Sequence, residues 1–326
     1  MQSLESTNTK LAVGMAVGAI ALGYVYSSSQ PAGFSLDDIP DQTNKTIIIT
    51  GGNSGLDQQT ALELARKGAT VIVTCRSAKK GEAAVKRIQE ACGPSAKISY
   101  GVCDLGDFQS IQSFCQSVRR DHTKVDTFIA NAGVVRQPTH TLTKDGHEIQ
   151  MQANFFSHFL MIESLLGLLE KSDDPCIVFA GTAQGILAKT KIDMEDIDWK
   201  KRIYSLGESY ECSRLAQMLY LHHLNTQLLS KGKAVAFSPG LVQRPPENAA
   251  HDRTPAITKL FRVPVEVGVL HPLQAATDPK MPRNTMLEPK WFVRGPGVPK
   301  PLVKSVTAQS AQELYTFSRD LLKQYL

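Results

Sequence analysis

From Lys45 onward the chain alternates short apolar, β-branched runs with longer stretches in which apolar residues recur every three or four positions. The runs at 46–50, 69–75, 97–102, 125–130, 176–180 and 234–238 have the length and composition of strands. The intervening stretches have helical period, and the first of them, carrying Ala61, Leu62, Leu64 and Ala65, closes at Gly68. This alternation predicts an α/β fold, a doubly wound parallel sheet covered by helices on both faces, in one domain over 45–326. Residues 241–300 carry prolines at 245, 246, 255, 264, 272, 279, 282, 289, 296 and 299. They are expected to be irregular, outside the core, and to lie over the carboxyl ends of the strands, where substrates sit in such folds.

The pattern changes at the N-terminus. After a tail at 1–10, residues 11–26 (LAVGMAVGAIALGYVY) carry no charge, and at ~1.5 Å per residue they span about 24 Å of a ~30 Å hydrocarbon core. This predicts a short single-pass membrane anchor over 11–27, with a cleaved signal peptide as the competing reading. Gly14 and Gly18 form a small-residue pair that permits close approach of another membrane helix, so subunits of a membrane complex are candidate partners beside the bilayer itself. Lys10 on one side and Asp37, Asp38 and Asp41 on the other place the N-terminus in the cytosol or its equivalent. Residues 28–44, with Ser28, Ser29, Pro31 and Pro40, read as a polar linker.

Composition changes little in this picture. A chain of 326 residues, 42% hydrophobic, buries one large α/β core without a second domain. The net charge of +5 is scattered, with no basic run, so no nucleic-acid partner is expected. The six cysteines, at 75, 92, 103, 115, 176 and 212, lie singly, and no pair has the spacing of a metal or redox site. They read as buried free thiols.

Candidate chemistry begins at Thr50-Gly51-Gly52-Asn53-Ser54-Gly55-Leu56-Asp57, a glycine-rich turn between the first strand and the first helix. Such a turn opens a Rossmann-type dinucleotide-binding unit, because glycines let backbone N–H groups and a helix N-terminus approach a pyrophosphate. After the second strand, Arg76 stands where an acid would favour NAD, and its charge favours the 2′-phosphate of NADP(H). Asp104 after the third strand and Asn131-Ala132-Gly133 after the fourth complete a row of loops at the sheet's carboxyl edge.

With these residues in place, the chain resembles the short-chain dehydrogenase/reductase family, in its retinol-dehydrogenase-like branch, to which protochlorophyllide reductases are also similar. The likeness extends from Lys45 nearly to the C-terminus, through Asp145-Gly146, Asn154, Tyr210-Glu211-Cys212-Ser213-Arg214-Leu215-Ala216, Ser238-Pro239-Gly240 and Ala275-Ala276-Thr277-Asp278-Pro279. It implies an oxidoreductase using NADP(H) on a lipophilic alcohol or carbonyl. The cofactor would be held by Gly51, Asn53, Ser54, Gly55, Leu56, Arg76, Asp104, Asn131, Ala132, Gly133, Pro239 and Gly240. In the family a tyrosine exchanges the proton, a lysine four residues on assists it and holds the nicotinamide ribose, a serine binds the substrate oxygen, and an asparagine anchors a water relay. Tyr210 and Asn154 match the tyrosine and the asparagine. An endoplasmic-reticulum membrane follows from the resemblance; a mitochondrial membrane suits a complex subunit.

Four departures stand against that pattern. Thr182 replaces the serine, keeping a hydroxyl but adding a β-methyl. Arg214 replaces the lysine, keeping the charge with different reach and no proton to give up. Arg244 replaces a threonine near the nicotinamide. Asp57 takes the place of the third loop glycine. A carboxylate ~5 Å from a phosphate at an effective dielectric of ~20 is repelled by about 3 kcal/mol, against about 0.3–1 kcal/mol gained from the helix dipole. Repulsion wins unless the side chain turns away. Two functions therefore remain open: a membrane-anchored oxidoreductase with weakened machinery, and a catalytically inactive accessory subunit of a membrane complex.

Overall fold

A computed structural model of the chain describes residues 33–243, 262–291 and 294–326. The anchor expected over 11–27 lies outside these residues, and no helix among the described ones is long and apolar enough to cross a membrane.

The elements follow the apolar pattern: β1 (Thr46–Ile49), α1 (Gly55–Arg66), β2 (Thr70–Cys75), α2 (Ala78–Cys92), β3 (Ile98–Val102), α3 (Phe108–Asp121) and β4 (Thr127–Ala130). Next come α4 (Ser157–Leu169), β5 (Cys176–Ala180), α5 (Gln184–Leu187), α6 (Leu206–His223) and β6 (Lys233–Phe237). The chain closes with α7 (Val265–Gly268), α8 (Leu270–Thr277), β7 (Thr285–Trp291), β8 (Arg294–Pro301) and α9 (Ala308–Leu322). The strands form one sheet in the order β3-β2-β1-β4-β5-β6-β7-β8. All neighbouring pairs are parallel except β7 with β8.

Alternate strand residues feed two cores. Ile48 and Ile72 face Phe108, Phe159, Leu219 and the aromatic and aliphatic residues of α3, α4, α6 and α9. Ile47, Ile49, Val71 and Val73 face Leu64, Ile88 and Leu273 of α1, α2 and α8. That is the period-2 burial of a sheet covered on both sides. The strand order reverses between β1 and β4, which opens a crevice at their carboxyl ends, the place where such sheets bind ligands.

The expectation that 241–300 stays outside the core is overturned for most of its described part. Leu273, Ala275, Met286 and Leu287 are fully buried, and β7 and β8 extend the sheet by two strands. Proline signals mislead here because β8 is the edge strand, where Pro296, Pro299 and Pro301 need no ladder donor on the open side. The expected linker is likewise partly built in. Leu36–Asp38 forms a 3₁₀ turn capped by Ser35, Ile39 and Gln42 are buried, and the Gln42 amide donates to the Lys67 carbonyl. Five cysteines are buried and Cys92 is half-buried; all six are free thiols.

One side chain replaces a missing neighbour of β6, the strand that leads into Ser238-Pro239-Gly240. Before β7 joins the sheet, Asn225 donates to the Ala234 carbonyl at 2.7 Å and accepts from the Ala234 amide at 2.8 Å. Asn225→Leu strands both buried backbone groups, at about 1–3 kcal/mol each. The urea midpoint should fall accordingly without loss of helical circular dichroism, and an unchanged midpoint would show that water serves these groups equally well.

Candidate active site

The crevice is built around the Thr50 side chain. Its Oγ1 accepts the backbone amides of Asn131 and Ala132, each at 3.0 Å, which ties the glycine turn after β1 to the loop after β4. The same oxygen lies 2.9 Å from Nε2 of the buried His158. His158 Nδ1 lies 2.9 Å from the Asn154 carbonyl. A carbonyl only accepts, so Nδ1 carries the proton, Nε2 is an acceptor, and the Thr50 hydroxyl donates to it. Burial lowers the His158 pKa to about 4, with a contribution from the Arg214 charge, so the ring stays neutral and holds this tautomer at neutral pH.

Asn154 sits in a π-turn, Gln152–Phe156, that follows the single turn Ile149–Met151 and runs into α4. The irregular turn is a feature common at functional sites. Its side chain is fully used: Oδ1 accepts the Val134 amide at 2.7 Å, and Nδ2 donates to the Val134 carbonyl and to Ser213 Oγ. Ser213 in turn donates to the Tyr210 carbonyl at 2.7 Å. The backbone oxygen of Asn154 accepts Gln217 Nε2 at 2.8 Å as well as His158.

Tyr210 and Arg214 share one face of α6, as i, i+4 spacing requires, and the guanidinium carbon stands 5.1 Å from the phenol ring centre. Arg214 is buried, and its Nη1 donates to the Ala180 carbonyl at 2.7 Å and to Gln217 Oε1 at 2.9 Å. Its Nε is buried without a partner. Nη2 borders Gly133, where an added Cβ would come within 3.2 Å of it and would run into Asn154 Oδ1. Thr182 follows β5 by two residues, half-buried, next to a Gly181 amide that donates to the Phe237 carbonyl at 2.7 Å. Arg214, Asn154, Asn131 and the glycine turn therefore meet in one crevice, with Tyr210 at its rim.

Asp57 is turned inwards. The residue keeps some surface, but its carboxyl reaches across the crevice floor to accept the Asn131 side-chain amide, and its other oxygen approaches the Gly51 Cα side within 3.1 Å of where a Cβ would stand. Burial pushes the carboxyl well above the usual carboxylate range, while the Asn131 hydrogen bond and the Arg214 charge pull the other way. The carboxyl is thus tied to the loop after β4, and burial favours its protonated form, which carries no charge to repel a phosphate. Gly51, at φ +80°, admits no side chain, since a Cβ would meet Ala132 at 2.9 Å.

The outer residues are more dispersed. Arg76 is exposed just after β2, Asp104 is exposed and bonds its own turn at the Gly106 amide, and Arg87 on α2 approaches the Asn53 carbonyl at 3.5 Å. Gly240, at φ +72°, follows Pro239 beyond β6. Arg244 lies outside the described residues. His158 and Gln217 escaped the sequence reading. His158 sits in an apolar run, Phe155-Phe156-Ser157-His158-Phe159-Leu160, and its spacing of four from Asn154 is the one signal that could have found it.

Known proteins share this fold. A family model described as short chain dehydrogenase matches residues 45–191. Retinol dehydrogenase 13 of Homo sapiens is 36% identical over 236 residues, covering 71% of this chain and 68% of that protein. The crystal structure of an uncharacterized protein from Mycobacterium paratuberculosis superposes with a TM-score of 0.74 at 29% identity, over 90% of this chain and 98% of that one. A short-chain dehydrogenase from Escherichia coli CFT073, solved with NADPH, shares the fold at a TM-score of 0.60 and 21% identity, over 76% of this chain and 98% of that one.

Thr50 should be the position least tolerant of a small change. Thr50→Val preserves shape but leaves the Asn131 and Ala132 amides without their acceptor, a loss of about 3 kcal/mol from two buried donors. Thermal denaturation should show a lower midpoint, and faster amide exchange at 131 and 132 should accompany it. Protection unchanged at those amides would mean that Thr50 does not hold the loop.

Proposed function

The chain belongs to the short-chain dehydrogenase/reductase family, and from that premise we propose that it is an NADP(H)-dependent oxidoreductase acting on a lipophilic alcohol or carbonyl at a membrane, anchored there by residues 11–27. The observation that carries this reading is the Arg214 guanidinium. It is buried beside Tyr210, held by the Ala180 carbonyl and Gln217, and its Nη2 borders Gly133 at the wall of the crevice where a nicotinamide ribose would lie in this family. The inward carboxyl of Asp57 and the side-chain-free Gly51 leave the glycine turn fit for a pyrophosphate.

In this reading the backbone of Gly51, Asn53, Ser54, Gly55 and Leu56 holds the pyrophosphate, and Asn131, Ala132 and Gly133 form the opposite wall. Arg76 takes the 2′-phosphate through charge-assisted hydrogen bonds. When bound, the nicotinamide accepts or delivers the hydride. Tyr210 moves the proton, Arg214 supplies the cation beside it, and Thr182 donates its hydroxyl to the substrate oxygen. The name of the similar retinol dehydrogenase supports a lipid-soluble substrate, as does the apolar run at 11–26.

A second reading, the inactive accessory subunit, draws on Asn154. Its carbonyl already accepts from both Gln217 and His158, so it has little capacity left to hold a relay water. NADPH-dependent reduction of a retinal-like aldehyde by the purified full chain separates the two. The enzyme reading expects turnover that disappears in Tyr210→Phe while NADPH binding persists. Binding without any turnover across a panel of lipophilic aldehydes and ketones would favour the subunit.

Cofactor affinity should also depend on pH through Asp57. Its pKa is raised, so the neutral form persists to higher pH than an ordinary carboxyl, and ionisation places a negative charge at the phosphate turn. NADPH affinity should be highest below that raised pKa and fall as pH rises through it, by up to about two decades if the carboxylate turns toward the phosphates. Asp57→Asn keeps the side chain's shape and should abolish that part of the dependence. An identical pH profile in both proteins would exclude Asp57 as its source.

A further inference from the structure

Large apolar side chains are not scattered evenly over the surface. Among the described residues eight are exposed, and five of them, Val102, Val135, Leu142, Ile203 and Leu206, lie at or just beyond the carboxyl ends of β3, β4 and β5. Ile203 is 94% exposed. Four of the five belong to one hydrogen-bonded block. The Tyr204 hydroxyl, next to Ile203, reaches the Gln137 carbonyl at 3.1 Å and Glu148 at 3.3 Å, and Leu142 bridges to Glu148. Gln150 holds the Leu206 carbonyl and the Tyr204 hydroxyl, and the His140 and Tyr204 rings stand 5.4 Å apart. The loop bearing Val135 and Leu142 is therefore fastened to the loop bearing Ile203 and Leu206.

This patch has a charged border. Arg136, Lys189, Lys191, Lys200 and Lys201 are exposed around it. Three acids of the same stretch are engaged within the protein: Asp196 accepts the amides of Lys200, Lys201 and Arg202, Asp198 is held by His147 and the Glu148 amide and pairs with Lys200, and Asp193 pairs with Arg202. Arg202 itself lies over the Trp199 ring at 3.8 Å. Glu195 and Glu208 are exposed beside that pair, and Asp104 is exposed next to Val102. Over 189–208 the basic and acidic residues balance, so it is the apolar centre, bordered by the long side chains of Lys189, Lys191 and Lys201, that matches a lipid headgroup region.

The path of the chain points the same way by an independent route. Gly33 lies against Pro296, near the start of β8; β8 runs antiparallel to the rest, so this is the carboxyl edge of the sheet. Residues 27–32 separate Gly33 from the apolar run and reach at most about 20 Å when extended. An anchored chain therefore holds that edge close to the bilayer.

We propose that the carboxyl edge around Ile203 is a bilayer-docking surface, seating Ile203, Leu206, Leu142 and Val135 in the headgroup region of the bilayer. The proposal rests on the anchor reading above. Leu206 stands one helical turn before Tyr210 on the same face of α6, and Val135 follows Gly133 by two residues. Docking this edge thus presses the mouth of the crevice against the membrane, where a lipid-dissolved substrate enters without crossing water.

The test uses the full chain reconstituted in phosphatidylcholine–phosphatidylserine vesicles, with and without brominated acyl chains, and added tryptophan reporters Ile203→Trp and Leu206→Trp beside the native Trp199 and Trp291. A control, Lys171→Trp, sits between α4 and β5 at the opposite, amino edge. Both edge reporters should show blue-shifted emission and lose intensity in brominated lipid beyond any loss in the unaltered chain, while Lys171→Trp does neither. Vesicle flotation that resists alkaline carbonate, with no quenching at 203 or 206, overturns the docking surface and leaves the anchor standing. A chain that does not float overturns both. Emission already blue-shifted in detergent, with no added quenching in brominated lipid, assigns the patch to a protein partner and likewise overturns the proposal.

Discussion

The architecture of the crevice depends on one hydrogen-bonded chain that begins at the Thr50 hydroxyl. Thr50 donates to His158, His158 donates to the Asn154 carbonyl, Gln217 donates to that same carbonyl, and Arg214 donates to Gln217. Four segments that are distant in sequence, the glycine turn, the loop after β4, the π-turn before α4 and the first half of α6, are thereby held in register. The chain works only while His158 is neutral, because a protonated ring would have no acceptor for the Thr50 proton. Burial that keeps the His158 pKa near 4 is thus part of the construction.

Arg214 gains meaning from that chain. As a lysine substitute considered alone, a guanidinium is longer and planar, and it loses the compact ammonium's freedom to rotate. Here its fork is absorbed: Nη1 is spent on Ala180 and Gln217, which fixes the plane, while Nη2 borders Gly133. Gln217, three residues on, is what makes an arginine usable at this position. The substitution is therefore better described as a pair, Arg214 with Gln217, than as the loss of a lysine.

The parallel sheet and the row of loops at its carboxyl edge were legible because strand runs and a glycine turn are local signals, carried by residues such as Ile47–Ile49 and Gly51–Gly55. β7 and β8 were not legible, since Pro289, Pro296 and Pro299 read as breakers until the pairing shows that β8 is an open edge. Tyr210, Arg214 and Asn154 could be picked out by spacing, yet what each touches could not. Gln217 looks like any polar residue of a helix until α6 is found buried along nearly its whole length. Polar residues buried in helices are silent in a sequence because their partners lie in other segments.

Asp57 shows the limit most sharply. In the sequence it is a charge where a phosphate belongs, and Coulomb's law with an exposed carboxylate gives a large penalty. In the fold the same residue loses water, accepts the Asn131 amide and sits within the influence of Arg214. Each effect acts on whether the charge exists or where it points, and neither is a property of the residue type. The glycine's other duty, close backbone approach, passes to Gly51, which has a positive φ and no room for a Cβ against Ala132. A third glycine becomes replaceable when the side chain that takes its place can fold under the turn and bond the loop beside it. That division of labour makes the acidic turn compatible with an anionic cofactor, and it does so by binding the two loops that flank the crevice to one another.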